Sequence, residues 1–82
     1  MAEARRLGFF VIKIHGNQYQ MAGIPDVLCI RDGRAHWIEF KRPGEEPTRL
    51  QVHRMRQLEG VGCRTTVACS VSDVRTFLEG VA

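Results

Sequence analysis

The sequence predicts a single α/β domain in which a central mixed sheet is flanked by helices, in the order α-β-β-β-α-β-α. Apolar runs rich in β-forming residues occupy much of the first half of the chain, which predicts three strands there. Two of these runs flank an Asp-Gly pair, a strong signal for a hairpin. Helical periodicity with capping residues follows, and the 82 residues suffice for one domain, residues 1–82, with a thin core.

The first helix and the first strand precede a polar loop. Residues Ala2 to Leu7 are predicted to form a short helix that stops at Gly8, because glycine is preferred just past a helix C-terminus. Phe9 to Ile14 is almost continuously apolar, so we expect a strand that is central or covered on both faces. Residues 15–23 form the loop, where Tyr19 could stack on a base, bind a phosphate or simply cover the edge of the sheet.

A hairpin is predicted from the runs Val27 to Ile30 and Ala35 to Phe40, which flank Asp32-Gly33. A two-residue turn fixes the pairing register, and counting outward from it places Asp26 opposite Glu39. Directly opposed side chains have Cβ atoms about 5 Å apart, where like charges are destabilising. The sequence therefore brings two carboxylates together at the open end of the hairpin.

Lys41 lies two residues after Glu39, so it points to the same face of the sheet as both carboxylates. A divalent cation would relieve their repulsion, since Mg²⁺ is typically held by one or two carboxylates with waters and phosphate oxygens completing its coordination. The lysine could then orient or deprotonate a water, or steady the negative charge on a phosphate. The alternative is that Asp26 only opens a strand and the other two residues form a solvated polar face.

A second helix is predicted from Thr48, its N-cap, to about Glu59. Gln51, Met55 and Leu58 recur at helical spacing and define the face that packs on the sheet. An amide at a position where the pattern favours an apolar residue needs a hydrogen-bond partner. The nearby carboxylates, or an attacking water, would provide one for Gln51.

One strand and one helix complete the chain. Residues 65–70 are predicted to form the strand, and residues 71–78 a closing helix capped by Ser70 or Ser72. The crossover from Lys41 through the second helix is long enough for the last strand to return parallel to its neighbour. We find no internal repeat and no second domain in the sequence.

The charge balance is mildly basic. Twelve Lys and Arg against nine Asp and Glu give a net charge of +3, which is compatible with a polyanionic partner. A basic stripe at helical spacing on the second helix is either a solvated surface or a binding surface for a polyanion, and nothing indicates sequence-specific recognition. The residues that could contact such a polyanion are Lys13, Tyr19, Arg42, Arg49, His53 and Arg56.

Several other classes of protein are disfavoured. The three cysteines are odd in number and scattered, which fits a reducing compartment better than a disulfide framework. The three histidines lack the spacing of zinc ligands. No apolar run approaches the length of a membrane span or a secretory signal, so we expect a cytoplasmic protein without membrane contact.

A set of motifs suggests a family. Pro25-Asp26 is followed, after twelve residues, by Glu39-Phe40-Lys41. These two motifs lie within the longer segments Gly23 to Leu28 and Trp37 to Gly44, and Gln51 follows on the second helix. From about residue 15 to residue 78, this ordered set resembles the VRR-NUC family of the PD-(D/E)xK nuclease superfamily, and in particular its small stand-alone members in phages and bacteria.

The resemblance implies a restriction-endonuclease-like core and a Mg²⁺- or Mn²⁺-dependent endonuclease that hydrolyses DNA phosphodiester bonds. Asp26, Glu39 and the Phe40 carbonyl would bind the metal, while Lys41 and Gln51 would manage the water. The resemblance also implies a homodimer that selects branched DNA such as Holliday (four-way) junctions, in a bacterial cell or a phage-infected host. A partner subunit is a reasonable expectation on size alone, because small cores supply little stability.

One departure from the family pattern leaves alternatives open. VRR-NUC proteins usually carry a further acid on a longer first helix, whereas Glu3 stands too close to Gly8 to match it. The site therefore either has one acid fewer or receives it from elsewhere. The alternatives to an active nuclease are a weak or inactive nuclease-fold module that binds DNA or a protein partner, and a small structural domain whose acids are merely exposed.

Overall fold

The computed structural model describes residues 1–14 and 21–80. The order of elements is the predicted one: α1 (Ala2–Arg6), β1 (Phe10–Lys13), β2 (Val27–Arg31), β3 (Arg34–Phe40), α2 (Arg49–Gly60), β4 (Arg64–Ala68) and α3 (Val71–Glu79). The four strands form one sheet in the order β1-β2-β3-β4. The first three are antiparallel and β4 runs parallel to β3, which confirms the predicted mixed sheet.

The hairpin has the predicted register. Asp32 and Gly33 have φ values of 54° and 73°, as a type I′ turn requires of both central residues. Arg31 pairs with Arg34 beside the turn, and Val27 pairs with Ile38 at the other end of the ladder. One more step along this register brings residues 26 and 39 opposite each other.

The prediction that the first strand is central or covered on both faces was wrong. β1 is an edge strand of the described sheet and pairs with β2 alone. Its outward residues Phe10 and Ile12 are 67% and 37% exposed, whereas Val11 packs against the core. An apolar run shows that both sides of a strand are hydrophobic, but it does not show what covers them.

The main core lies between one face of the sheet and the pair α1 and α3. Its buried members are Ala4, Phe9, Val27, Cys29, Ile38, Ala68, Val74 and Leu78. Because side chains alternate along a strand, Glu39 points to the opposite face from Ile38. That second face is covered in part by α2, whose Met55 is buried. Within the described residues, none of the three helices has the length and apolar character to cross a bilayer.

A pair of glycine substitutions tests the hairpin turn. Gly33→Ala should lower the free energy of unfolding by about 1–2 kcal/mol, because an L-residue is strained at positive φ. Gly60→Ala is the control: this glycine ends α2 without a positive φ and has open space around it, so alanine should be neutral or stabilising. Urea unfolding of both variants gives the comparison, and equal effects would contradict the assigned turn.

Candidate active site

Asp26 is fixed in place by backbone contacts on both sides. It follows Pro25, which is fully buried, and its main-chain carbonyl accepts a hydrogen bond of 2.7 Å from the Ile14 amide. Its side-chain Oδ2 accepts a second bond of 2.8 Å from the Phe40 amide. The Asp26 carboxylate is therefore bound to Phe40, the residue that directly follows Glu39.

Glu39 is the second acid, and it is only 3% exposed. Its Oε2 lies 3.4 Å from the Gln51 amide nitrogen and 3.9 Å from the Lys41 ammonium nitrogen. Its other oxygen, Oε1, is buried and has no hydrogen-bond donor among the described residues. Since Asp26 lies close enough to share a proton with Glu39, the pair can be satisfied by one proton or by a cation.

The electrostatics of the pair follow from this burial. Loss of solvent, followed by the charge of Asp26, raises the pKa of Glu39 from its ordinary value of 4.5 to about 7. Lys41 opposes this shift with a smaller effect, and the more distant Glu45 adds to it. A buried carboxyl group with a raised pKa beside a second acid is typical of functional sites.

Gln51 is oriented by the cap of its own helix. Its side-chain oxygen accepts a 2.8 Å bond from the Thr48 amide, and its own amide donates a 3.1 Å bond to the Thr48 hydroxyl. This is a capping box with glutamine at its third helical position. Because the cap occupies the oxygen, the NH₂ group of Gln51 faces Glu39, which needs a donor.

The donor set fits a small hard cation. One or two carboxylates are the ligands that Mg²⁺ uses alongside waters and phosphate oxygens, and here one of the two has a buried oxygen that no described residue binds. Within residues 1–14 and 21–80, no group of three or more His, Cys, Asp or Glu side chains could hold a metal ion. A cation at this place would thus depend on two acids, with a main-chain carbonyl such as that of Phe40, water or substrate oxygens as its other ligands.

The predicted DNA-binding residues that the structure describes lie at the end of β1, just after β3 and along α2. Lys13 is exposed at the end of β1 and lines a groove of about 430 Å³ together with Asp26 and Phe40. Arg42 lines a second groove, of about 630 Å³, with Phe40 and Lys41. The basic stripe is exposed along α2 and consists of Arg49, His53 and Arg56. Tyr19 lies outside the described residues.

Two further contacts near the site were not predicted from the sequence. Arg54 donates a 3.0 Å hydrogen bond from Nε to the Ala22 carbonyl, although its place in the sequence suggests only a surface charge on α2. Glu45 accepts a 3.1 Å bond from the Arg42 amide and adds negative charge near Glu39. Its position shortly after Lys41 was the one available hint.

Glu3, the remaining acid considered from the sequence, is engaged elsewhere. Its carboxylate accepts hydrogen bonds from Arg6 within α1 and, at 3.1 Å, from Arg75 of α3. These two guanidinium groups lower the pKa of Glu3 to about 2. Glu3 therefore ties the first and last helices together and leaves the carboxylate pair to the hairpin.

The raised pKa of Glu39 predicts how stability depends on pH without metal. The folded chain binds this proton more tightly than the unfolded chain, so the stabilisation is complete below about pH 4.5 and is lost as the pH rises through about 7. Compared with Glu39→Gln, the native chain should lose at most about 3 kcal/mol over this interval. Urea unfolding in EDTA measures the difference, and Mg²⁺ should reduce the loss; parallel pH profiles for the two proteins would contradict this assignment.

The comparisons with known proteins concern the fold. The sequence matches no family model, and no curated protein matches it. A solved structure described as a "VRR_NUC domain" superposes with a TM-score of 0.80 at 22% sequence identity. The alignment covers 99% of this chain and 87% of that one. The resemblance seen in the motifs and this likeness in three dimensions thus name the same family, and the chain has the fold of a VRR_NUC domain.

Proposed function

We propose that the chain is a metal-dependent endonuclease that hydrolyses phosphodiester bonds in DNA. The observation that carries this proposal is the buried Oε1 of Glu39 beside Asp26, which has no hydrogen-bond partner among residues 1–14 and 21–80, with Lys41 and Gln51 both directed at the other oxygen. The shared fold with a VRR_NUC domain supports a nuclease. A fold hosts many activities, so the assignment depends on the site rather than on the fold.

In this proposal Asp26, Glu39 and the Phe40 carbonyl hold Mg²⁺ or Mn²⁺. Such a cation, when bound, polarises a phosphate and lowers the pKa of water. The remaining roles belong to Gln51 and Lys41. Gln51 keeps Glu39 in place through the hydrogen bond that its cap directs, and Lys41, whose side chain is 14% exposed, orients the attacking water or stabilises charge on the phosphate.

The two grooves that share Phe40 would take the DNA backbone. Lys13 and Asp26 line one of them, and Lys41 and Arg42 line the other, so each groove offers a cation to a phosphate. The exposed stripe on α2 would extend these phosphate contacts. Contacts of this kind position a nucleic acid without reading its sequence, which suits an enzyme that selects DNA by structure.

We also propose a homodimer that acts on branched DNA such as a four-way junction in the cytoplasm of a bacterium or a phage-infected host. A two-fold enzyme suits a substrate with two-fold symmetry. Phe10 and Ile12 are exposed on β1, which is an edge strand among the described residues, and this supports a partner subunit there, because proteins rarely leave an apolar edge strand uncovered. Sedimentation of Phe10→Asp tests this: the native chain should be dimeric and the variant monomeric, while a monomeric native chain would refute it.

Cleavage of labelled four-way junction, flap, duplex and single-stranded DNA tests the activity. We expect cutting with Mg²⁺ or Mn²⁺ and none with EDTA. Asp26→Asn and Lys41→Ala should each reduce the rate by about 100-fold or more, since each removes several kcal/mol of charge stabilisation. Asp32→Asn makes the same chemical change at the exposed hairpin turn, at the far end of the strands, and should keep native activity.

The outcome of this assay also separates the proposal from its alternatives. Equal rates for Asp26→Asn and Asp32→Asn, or cutting in EDTA, would contradict the proposed site. Junction binding with no cutting under any metal would favour a nuclease-fold module that binds DNA without cleaving it. Unchanged metal and DNA binding in Asp26→Asn would favour a structural domain.

A further inference from the structure

Helix α2 contacts the segment that leads into Asp26 at two adjacent residues. The Arg54 Nε donates a 3.0 Å hydrogen bond to the Ala22 carbonyl. The next residue, Gly23, lies directly against Leu50, where a Cβ atom would sit 2.7 Å from Leu50 Cγ and 3.1 Å from its carbonyl oxygen. Gly23 also has a φ of 83°. The close approach of this segment to the helix therefore requires a glycine at position 23.

The guanidinium group of Arg54 is itself held in place. Its Nη1 donates a 2.9 Å hydrogen bond to the Gln57 side-chain oxygen, one helical turn further on. The side chain is half-buried, unlike those of Arg49 and Arg56, which are exposed on the same helix. Arg54 therefore uses its Nε and Nη1 donors within the protein, whereas Arg49 and Arg56 are exposed to solvent, where a polyanion can reach them.

The same helix contacts the Glu39 carboxylate and the segment that precedes Asp26. Gln51, one turn before Arg54, donates to Glu39. Arg54 binds Ala22, four residues before Asp26, with the buried Pro25 between them. A helix that binds both segments at successive turns can hold Asp26 and Glu39 at a set distance from each other. Hydrogen bonds from residues outside the coordination shell position metal ligands in the same way.

We infer that Arg54 is a positioning residue that sets the placement of Asp26 relative to Glu39 by binding the Ala22 carbonyl. The inference rests on the proposed metal-dependent nuclease. It assigns Arg54 a different role from its neighbours on α2: loss of Arg54 disturbs the metal site, and loss of Arg56 weakens the hold on DNA. Arg54 and Arg56 carry the same charge and lie on the same helix, so the effects of replacing them can be compared directly.

The experiment measures Mn²⁺ affinity by calorimetry without DNA, and kcat and KM for junction cleavage, in R54Q, R54K and R56Q. R54Q should bind Mn²⁺ about 10- to 100-fold more weakly and lose kcat by a similar factor, with KM for DNA nearly unchanged. R54K keeps a charge and a donor and should lie between R54Q and the native chain. R56Q should raise KM and leave Mn²⁺ affinity at the native value.

Several outcomes would overturn the inference. R54Q could match R56Q, with a raised KM and native Mn²⁺ affinity, which would make Arg54 a DNA contact. Circular dichroism checks that each variant folds. If R54Q does not fold, R54K is used in its place. A native Mn²⁺ affinity in R54K would then refute the inference. A native chain that binds Mn²⁺ and cuts DNA while R54Q equals it overturns this inference alone. A native chain that does neither overturns the proposed function as well.

Discussion

The antiparallel register of β2 and β3 forces two like charges together, and the rest of the site is arranged around that constraint. Asp26 and Glu39 face the same side of the sheet because side chains alternate strictly along both strands. Burial of Glu39 then removes the water that would screen the repulsion, and its pKa rises to about 7. An unfavourable pair of this kind is stable only if the surrounding structure holds it and a proton or a cation neutralises part of its charge.

Helix α2 is the element that holds the pair. Its capping box uses the oxygen of Gln51, so the hydrogen bond that begins the helix also aims an amide at Glu39. Three residues later, Arg54 ties the helix to the segment before Asp26. A single element of secondary structure therefore couples local helix stability to the geometry of the proposed metal site, and the exposed side of the same helix presents the basic stripe.

Those parts of this arrangement that depend on local chemistry could be predicted from the sequence. The Asp32-Gly33 turn determines the hairpin register, Thr48 marks the start of α2, and helical spacing turns Gln51 toward the sheet. Contacts between distant segments could not be predicted. A helical arginine such as Arg54 has the same sequence signature whether it binds solvent, DNA or a main-chain carbonyl. Likewise, the apolar pattern of β1 did not distinguish an interior strand from an edge whose Phe10 is exposed.

The central claim is that a divalent cation binds between the carboxylates of Asp26 and Glu39. Anomalous diffraction from crystals grown with MnCl₂ tests it most directly, because the manganese signal locates the ion without reference to activity. The account predicts a strong anomalous peak in contact with both carboxylates in the native protein, and no peak there in crystals of Asp26→Asn. Ordered Asp26 and Glu39 side chains with no manganese between them, or a peak that persists in the variant, would contradict it.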